Sequence, residues 1–358
     1  MVWALVPFCI EREVLISETW DDELTKSELA DSFHALGLPW VWQPIVSSNL
    51  ESVVAQISRA LAGRHGVVFN FCDGTDGDDA PGISVVESLE RASVPFTGAD
   101  SKFYRISTSK IAMKELFREA GVPTPPFAVP PQSGAVTGIA ERLGAPLIVK
   151  PEISSASSGI DLRSVVGTDE EIGARRDAMF TMGLAHMATG RNRIFVERFI
   201  DGDEFTVLLG GYQDRPEEIW HLPPAHRAFD ESIPQHERFL SFDRYWGYYK
   251  EETPPEGNRP FYRYEPCPAD ESEHLAGLAR RAYCAVHGSG YARVDIRRDR
   301  HTGEYFVLEV NANCGLSGSD QTSCGSILKM AGMRFADLLQ RILDDASARK
   351  ALPIAASA

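Results

Sequence analysis

The segment Arg293-Val294-Asp295-Ile296 carries one carboxylate, and Leu308-Glu309-Val310-Asn311 carries a carboxylate and a carboxamide two residues apart. Alternate residues of a strand point to one face. A turn containing Thr302-Gly303 joins the two segments as a hairpin, which sets Asp295 opposite the other pair. Three hard oxygen donors then converge on one side of a sheet. Magnesium prefers such donors and completes its shell with waters and substrate phosphates. A solvated polar face on an exposed sheet carries the same residue types. The intervening Val294, Ile296, Leu308 and Val310 predict that the opposite face is buried.

The elements around this hairpin alternate. Short apolar runs at 2–8, Trp40–Ile45 and Gly66–Phe71 read as strands, separated by helical patterns at Trp20–Leu36 and around Val53, Val54, Ile57 and Leu61. Ser84-Val85-Val86-Glu87 has capping-box spacing, and Val94–Gly98 reads as a further strand. That order implies an open, mostly parallel α/β sheet over residues 1–100. A helix from Ser109 ends at Gly121 and Pro123, and Pro123–Pro131 is a connector. Strands at Pro146–Lys150 and Arg193–Phe199 belong to a second unit, 101–200. A third unit, 201–358, opens with the strand Glu204–Leu209. Residues 211–265 show no clear period and read as a long, lid-like loop region. A helix over Leu275–Val286, the hairpin and a last helix around Phe335–Leu343 follow.

The 358 residues carry a formal charge of -15, which argues against a nucleic-acid partner. An anionic ligand remains compatible, because a few lysines and a divalent metal reverse the sign locally. No run reaches transmembrane length. The six cysteines form no CxxC pair, and no export signal is visible, so a cytoplasmic setting with reduced thiols is expected. No GxxxxGK[ST] or HExxH occurs, which argues against a P-loop NTPase and a zinc hydrolase.

Several segments, in order, resemble the D-alanine–D-alanine ligases of the ATP-grasp superfamily. They are Glu11-Arg12-Glu13-Val14, Val94–Gly98, Ser109-Lys110, Ala120–Pro125, Ile148–Pro151, Val196–Val207, and Arg293-Val294-Asp295 followed by Leu308–Gly315. The resemblance runs from about residue 2 to 345. It implies a three-domain α/β fold, α+β in part, with a Rossmann-like N-terminal substrate domain. It implies ATP as cosubstrate, with magnesium, or alternatively manganese, held by Asp295, Glu309 and Asn311. Lys110 and Lys150 would hold phosphates, as compact charges with several donors do. The small-residue loop 152–159 would fold over them, with Ser157 as the preferred contact. Glu197, Phe199 and Ile200 would meet the adenine, Glu204 the ribose, and Leu308 the nucleotide. Arg293 and the Gly315 N–H would steady an acyl phosphate and the tetrahedral intermediate after it. Glu11 would line the first substrate turn as a catalytic and substrate contact. The implied reaction joins a carboxylate to an amine through an acyl phosphate, on small-molecule amino-acid substrates, in a homodimer that contacts neither nucleic acid nor membrane.

The departures concern substrate. Asn70–Asp79 replaces a His-Gly pair with an acidic run that reads either as an amine attractor or as a solvated turn. Leu316-Ser317-Gly318-Ser319-Asp320 replaces a Met-Thr pair. Ser317 and Ser319 remain candidate carboxylate contacts, and Asp320 a candidate ammonium contact. Lys250, beside Tyr248 and Tyr249, is the best counterpart of the family's omega-loop lysine. An L-amino-acid or amino acid–metabolite ligase therefore fits as well as a D-alanine enzyme. A nucleotide-binding regulatory protein without catalysis, and a phosphotransferase that stops at the acyl phosphate, are the competing classes.

Overall fold

A computed structural model describes residues 1–11, 14–17, 22–72, 76, 81–154, 157–183, 193–246, 252 and 254–349. Its first sheet is built on the strand Val2–Glu11, whose Ala4, Leu5 and Val6 are wholly buried. Trp40–Ile45 and Val67–Asn70 pair with it in parallel, so that Val2 lies between Trp40 and Val67. Such a strand is covered on both faces and is apolar throughout. Val14–Ser17 turns back antiparallel on its far end. The covering helix Leu50–Leu61 buries Leu50, Val53, Val54, Ile57 and Leu61, one stripe at helical spacing.

Two expectations change here. The helix Ile83–Arg91 starts after Gly82 and has no cap from Ser84. The Asp76 carboxylate instead accepts from the Gly82 and Ser84 amides at 2.7 and 3.3 Å and from the Ser84 hydroxyl at 2.7 Å. A residue outside the helix thus supplies what the capping box was expected to supply. The Val94–Gly98 strand reduces to one parallel bridge, Val68 to Phe96.

The middle unit is a small antiparallel sheet in the order Phe127–Ala128, Ile194–Arg198, Leu147–Pro151, Val165–Val166. Helix Asp169–Thr181 covers it through Ile172 and Met179 and carries a full capping box from Thr168 and Glu171. The large antiparallel sheet runs Tyr262–Pro266, Ala225–Phe229, Gly202–Tyr212, Ser289–Asp299, Tyr305–Ala312. Residues 211–265 are therefore not one long loop. Trp220–His221, Ala225–Phe229 and Tyr262–Pro266 all join the sheet. These strands are two to five residues long, too short for alternation to stand out among prolines and aromatics.

The first and third units share their cores. Leu5, Val68 and Phe96 cluster with Val207, Leu209, Val294 and Ile296. Ala4 and Phe69 cluster with Leu208, Ile327 and Leu339. Gly290, with φ +81°, approaches the Gly98 turn so closely that a Cβ would strike the Gly98 carbonyl. Asn313 Oδ1 accepts from the Ala99 amide at 2.8 Å across the same junction. The middle unit has a separate core around Leu147, Val149, Ile172 and Val196. No described helix is long and apolar enough to cross a membrane.

Candidate active site

A cleft partly open to solvent lies between the middle and large sheets. Its floor is set by strand register. Arg227 pairs with Glu204, which on its other side pairs with Arg297. In the next row Thr206 faces Asp295, which faces Glu309. In the third, Leu208 faces Arg293, which faces Asn311. Residues directly opposite across antiparallel strands share a face, so the three rows place these polar groups together. The expected convergence of Asp295, Glu309 and Asn311 follows from this register.

Leu308 corrects the expectation that it belongs to the buried opposite face. The register shifts between Asp295 and Ile296, where Ile296 pairs with Val307 rather than Leu308. This β-bulge inserts one residue and re-aims its side chain. Leu308 thereby lines the cleft while Val307 and Val310 stay wholly buried.

The polar groups on the floor are paired with one another. Arg293 donates to Asp295 from Nε at 3.0 Å and from Nη2 at 2.9 Å, and Asn311 Nδ2 donates to Asp295 Oδ2 at 3.0 Å. Burial would raise the Asp295 carboxyl, but the charges of Arg293 and Arg227 outweigh it and hold that carboxyl below its ordinary value. Glu204 is buried, with one oxygen on Arg227 and the other 3.1 Å from Arg297 Nε. Arg297 also donates to the Ile200 carbonyl at 2.8 Å and stacks over Phe199, 5.0 Å from its ring centre.

The roof comes from the middle unit. Ile148 is opposite Glu197, and Lys150 is two residues further along, so all three face the cleft. Lys150 Nζ is 2.6 Å from Glu197 Oε1. Lys110 opens the helix Lys110–Glu119, which Ser109 caps through the Ala112 amide at 3.1 Å. Its ammonium donates to the Ser154 carbonyl at 2.8 Å and lies 3.5 Å from Glu309. Ser157, with φ +59°, lines the cleft and donates to the Leu240 carbonyl at 2.9 Å. Ile148, Ile160, Phe199 and Phe239 form an apolar cluster at one end. Five cationic side chains, Lys110, Lys150, Arg227, Arg293 and Arg297, line the cleft with four carboxylates, in a chain that is acidic overall. An anion is therefore favoured here.

Of the sequence-predicted residues, Lys110, Lys150, Ser157, Glu197, Phe199, Ile200, Glu204, Arg293, Asp295, Leu308, Glu309 and Asn311 all line this cleft. Gly315, Ser317, Ser319 and Asp320 do not. The Ser317 hydroxyl and the Gly318 amide each donate to Glu28 at 3.0 Å, and exposed Asp320 pairs with Lys329 at 3.1 Å. Glu11 ends the first strand, and its side chain lies outside the described residues, as do Lys250, Tyr248, Tyr249 and most of the Asn70–Asp79 run.

Three cleft-associated cations escaped the sequence reading. Arg297 is two residues beyond Asp295 and shares its face, so the alternation already contained it. Arg227 sat in the region read as loop. Lys114 is one turn after Lys110, and i, i+4 residues share a helix face. Only 1% of its side chain is exposed, and its Nζ lies 2.5 Å from Glu197 Oε2.

The oxygen set of Asp295, Glu309 and Asn311 fits a hard divalent cation, since two carboxylates and a carboxamide meet on one face of the sheet. A family model described as the D-ala D-ala ligase C-terminus matches residues 116–344. The D-alanine–D-alanine ligase of Chromohalobacter salexigens is 31% identical over 281 residues, 77% of this chain and 76% of that one. That of a Synechococcus species is 32% identical over 274 residues, 74% and 72% of the two chains. The ATP complex of D-alanine–D-alanine ligase from Bacillus anthracis matches at TM-score 0.67 and 16% identity over 98% of both chains, a likeness of fold, here the ATP-grasp fold. With a relative above 30% identity and a family model spanning most of its length, this chain belongs to the D-alanine–D-alanine ligase family of ATP-dependent C–N ligases.

Proposed function

We propose that this chain activates an amino-acid carboxylate with ATP and joins it to the amine of a second substrate. The observation that carries this is the set of three cross-strand rows, which puts Arg293, Asp295, Glu309 and Asn311 on one floor beneath two lysines. The apolar cluster of Ile148, Phe199 and Phe239, extended by bulged Leu308, takes the adenine, with Glu197 at its edge. Lys110 and Lys150 take the phosphates, and the loop carrying Ser154 and Ser157 closes over them.

The substrate carboxylate attacks the γ-phosphorus, and ADP leaves. The amine then attacks the acyl carbon, and phosphate leaves. Arg293 faces the charge that develops in both steps, and its bidentate hold on Asp295 fixes the guanidinium plane. The chain's work is positioning and charge stabilisation. Asp295, Glu309 and Asn311 would hold magnesium, which would supply positive charge against the phosphates during phosphoryl transfer. Glu204 reaches the ribose only if it shares its oxygens with Arg227 and Arg297, so those guanidinium donors also lie within the ribose end of the cleft.

D-alanine is not assigned as the substrate. Ser317, a candidate carboxylate contact from sequence, donates instead to Glu28, which also accepts from the Gly318 amide. Phosphate release from ATP and magnesium, screened over single and paired L- and D-amino acids with product masses, tests the reading. Amide product with any pair supports it. ATP turnover that is indifferent to every added substrate contradicts it.

A further inference from the structure

Lys114 is a buried titratable group that the proposed reaction leaves without a task. Among the described residues, Glu197 is its link to the cleft. Its ammonium is 2.5 Å from Glu197 Oε2 and 2.9 Å from Thr124 Oγ1. Thr124 in turn donates to the Val307 carbonyl at 2.9 Å, one residue from the bulge that turns Leu308 into the cleft. A continuous polar chain thus runs from the roof carboxylate to the floor hairpin.

Glu197 has two lysine partners that differ in freedom. Lys150, on Oε1, is 17% exposed, whereas Lys114 is 1% exposed. An arriving polyphosphate can draw Lys150 off the carboxylate. Lys114 has no path to the ligand. We propose that Lys114 is a positioning residue for the nucleotide: it remains on Glu197 as a permanent counter-ion and fixes that carboxylate at the adenine edge once Lys150 has turned to the phosphates. This rests on the reading of Lys150 as a phosphate contact.

The electrostatics agree. Burial pushes the Glu197 carboxyl up, and the charges of Lys114 and Lys150 outweigh that and hold it below its ordinary value. The charged groups facing Glu197 are these two lysines. Burial pushes the Lys114 ammonium down, and the Glu197 carboxylate opposes that, with Lys150 and, more weakly, Glu309 also facing it. With Lys150 on the phosphates and Lys114 absent, burial is unopposed and the carboxyl takes up a proton. A protonated or displaced Glu197 loses its full acceptor strength toward the exocyclic amine of adenine. A charge-assisted hydrogen bond of this kind is worth about tenfold or more in affinity.

The test is calorimetric titration of the full chain with magnesium-ATP and magnesium-ITP over a range of pH. ITP replaces the exocyclic amine with a carbonyl oxygen. The proteins are wild type, Lys114→Met, Glu197→Gln and the double variant. Wild type is expected to prefer ATP with little pH dependence near neutrality. Lys114→Met is expected to lose about tenfold or more for ATP and much less for ITP, and its ATP affinity should fall as pH is lowered. Equal losses for both nucleotides with a flat pH profile would make Lys114 merely structural and overturn the proposal. Should Lys114→Met fail to fold, the double variant, which removes both buried charges, decides. An ATP-to-ITP ratio equal to that of Glu197→Gln supports action through Glu197, and a further loss for ATP alone overturns it. ATP binding by wild type without discrimination against ITP sinks this inference only. Absence of ATP binding sinks the ligase reading itself.

Discussion

Replacing Asp295 with Asn preserves shape and removes one charge from the centre of the floor. Asp295 is 5% exposed and accepts two bonds from Arg293 and one from Asn311, at 2.9 to 3.0 Å. Neutralising it leaves the Arg293 guanidinium without its counter-charge. Breaking a buried pair in this way costs about 3 to 5 kcal/mol. Arg293 keeps 21% of its side chain exposed, and water screens part of its charge, so the lower figure, about 3 kcal/mol, applies. The same change removes a proposed cation ligand and loosens the guanidinium proposed to face the reacting phosphate. Loss of one such electrostatic element costs about 100- to 1000-fold in kcat. Denaturant unfolding and magnesium-dependent phosphate release, on one preparation, measure both effects. Turnover within tenfold of wild type at the same magnesium concentration would refute the floor as the catalytic centre. Lost turnover without lost stability would refute the claim that the Arg293 pair is a buried one.

Lys150→Ala removes a proposed phosphate contact and one of two partners of Glu197. Initial-rate kinetics should show a rise in KM for ATP of about tenfold or more. Leu308→Ala trims the bulged side chain that lines the proposed nucleotide end of the cleft. A several-fold rise in KM for ATP with kcat little changed is expected, because the loss is of uniform binding. Asp320→Ser, at an exposed position outside the cleft, should leave both ATP use and amino-acid selectivity unchanged in a substrate screen. Glu197 is held below its ordinary value of 4.5. Its contribution to stability is therefore complete above that value and is lost as pH falls through the lower folded-state value. Acid titration of unfolding should show this slope in wild type and lose part of it in Glu197→Gln.

The legible part of the fold was whatever obeys a period. Parallel strands apolar on both faces, the amphipathic helices and the last hairpin all announced themselves. The site followed where register was implied by alternation, as for Asp295, Glu309 and Asn311. It failed where register departs from alternation. A bulge put Leu308 on the polar face, which a two-residue period cannot show. Arg227 was hidden because its strand, Ala225–Phe229, is short and follows two prolines. Lys114 was visible as a lysine four after Lys110, but its burial depends on the Ile194–Arg198 strand, far away in sequence. The Ser84 cap failed for the same reason, because Asp76 reaches in from outside the helix.

The central claim is that this floor couples ATP cleavage to amide formation. Its most direct test is phosphate release from magnesium-ATP by the wild-type chain with paired amino acids, run beside Asp295→Asn and read out with product mass. Phosphate and an amide of matching mass should appear in equal amounts, dependent on both substrates and absent in the variant. Phosphate released without any added amino acid, or amide formed equally well by Asp295→Asn, would contradict it.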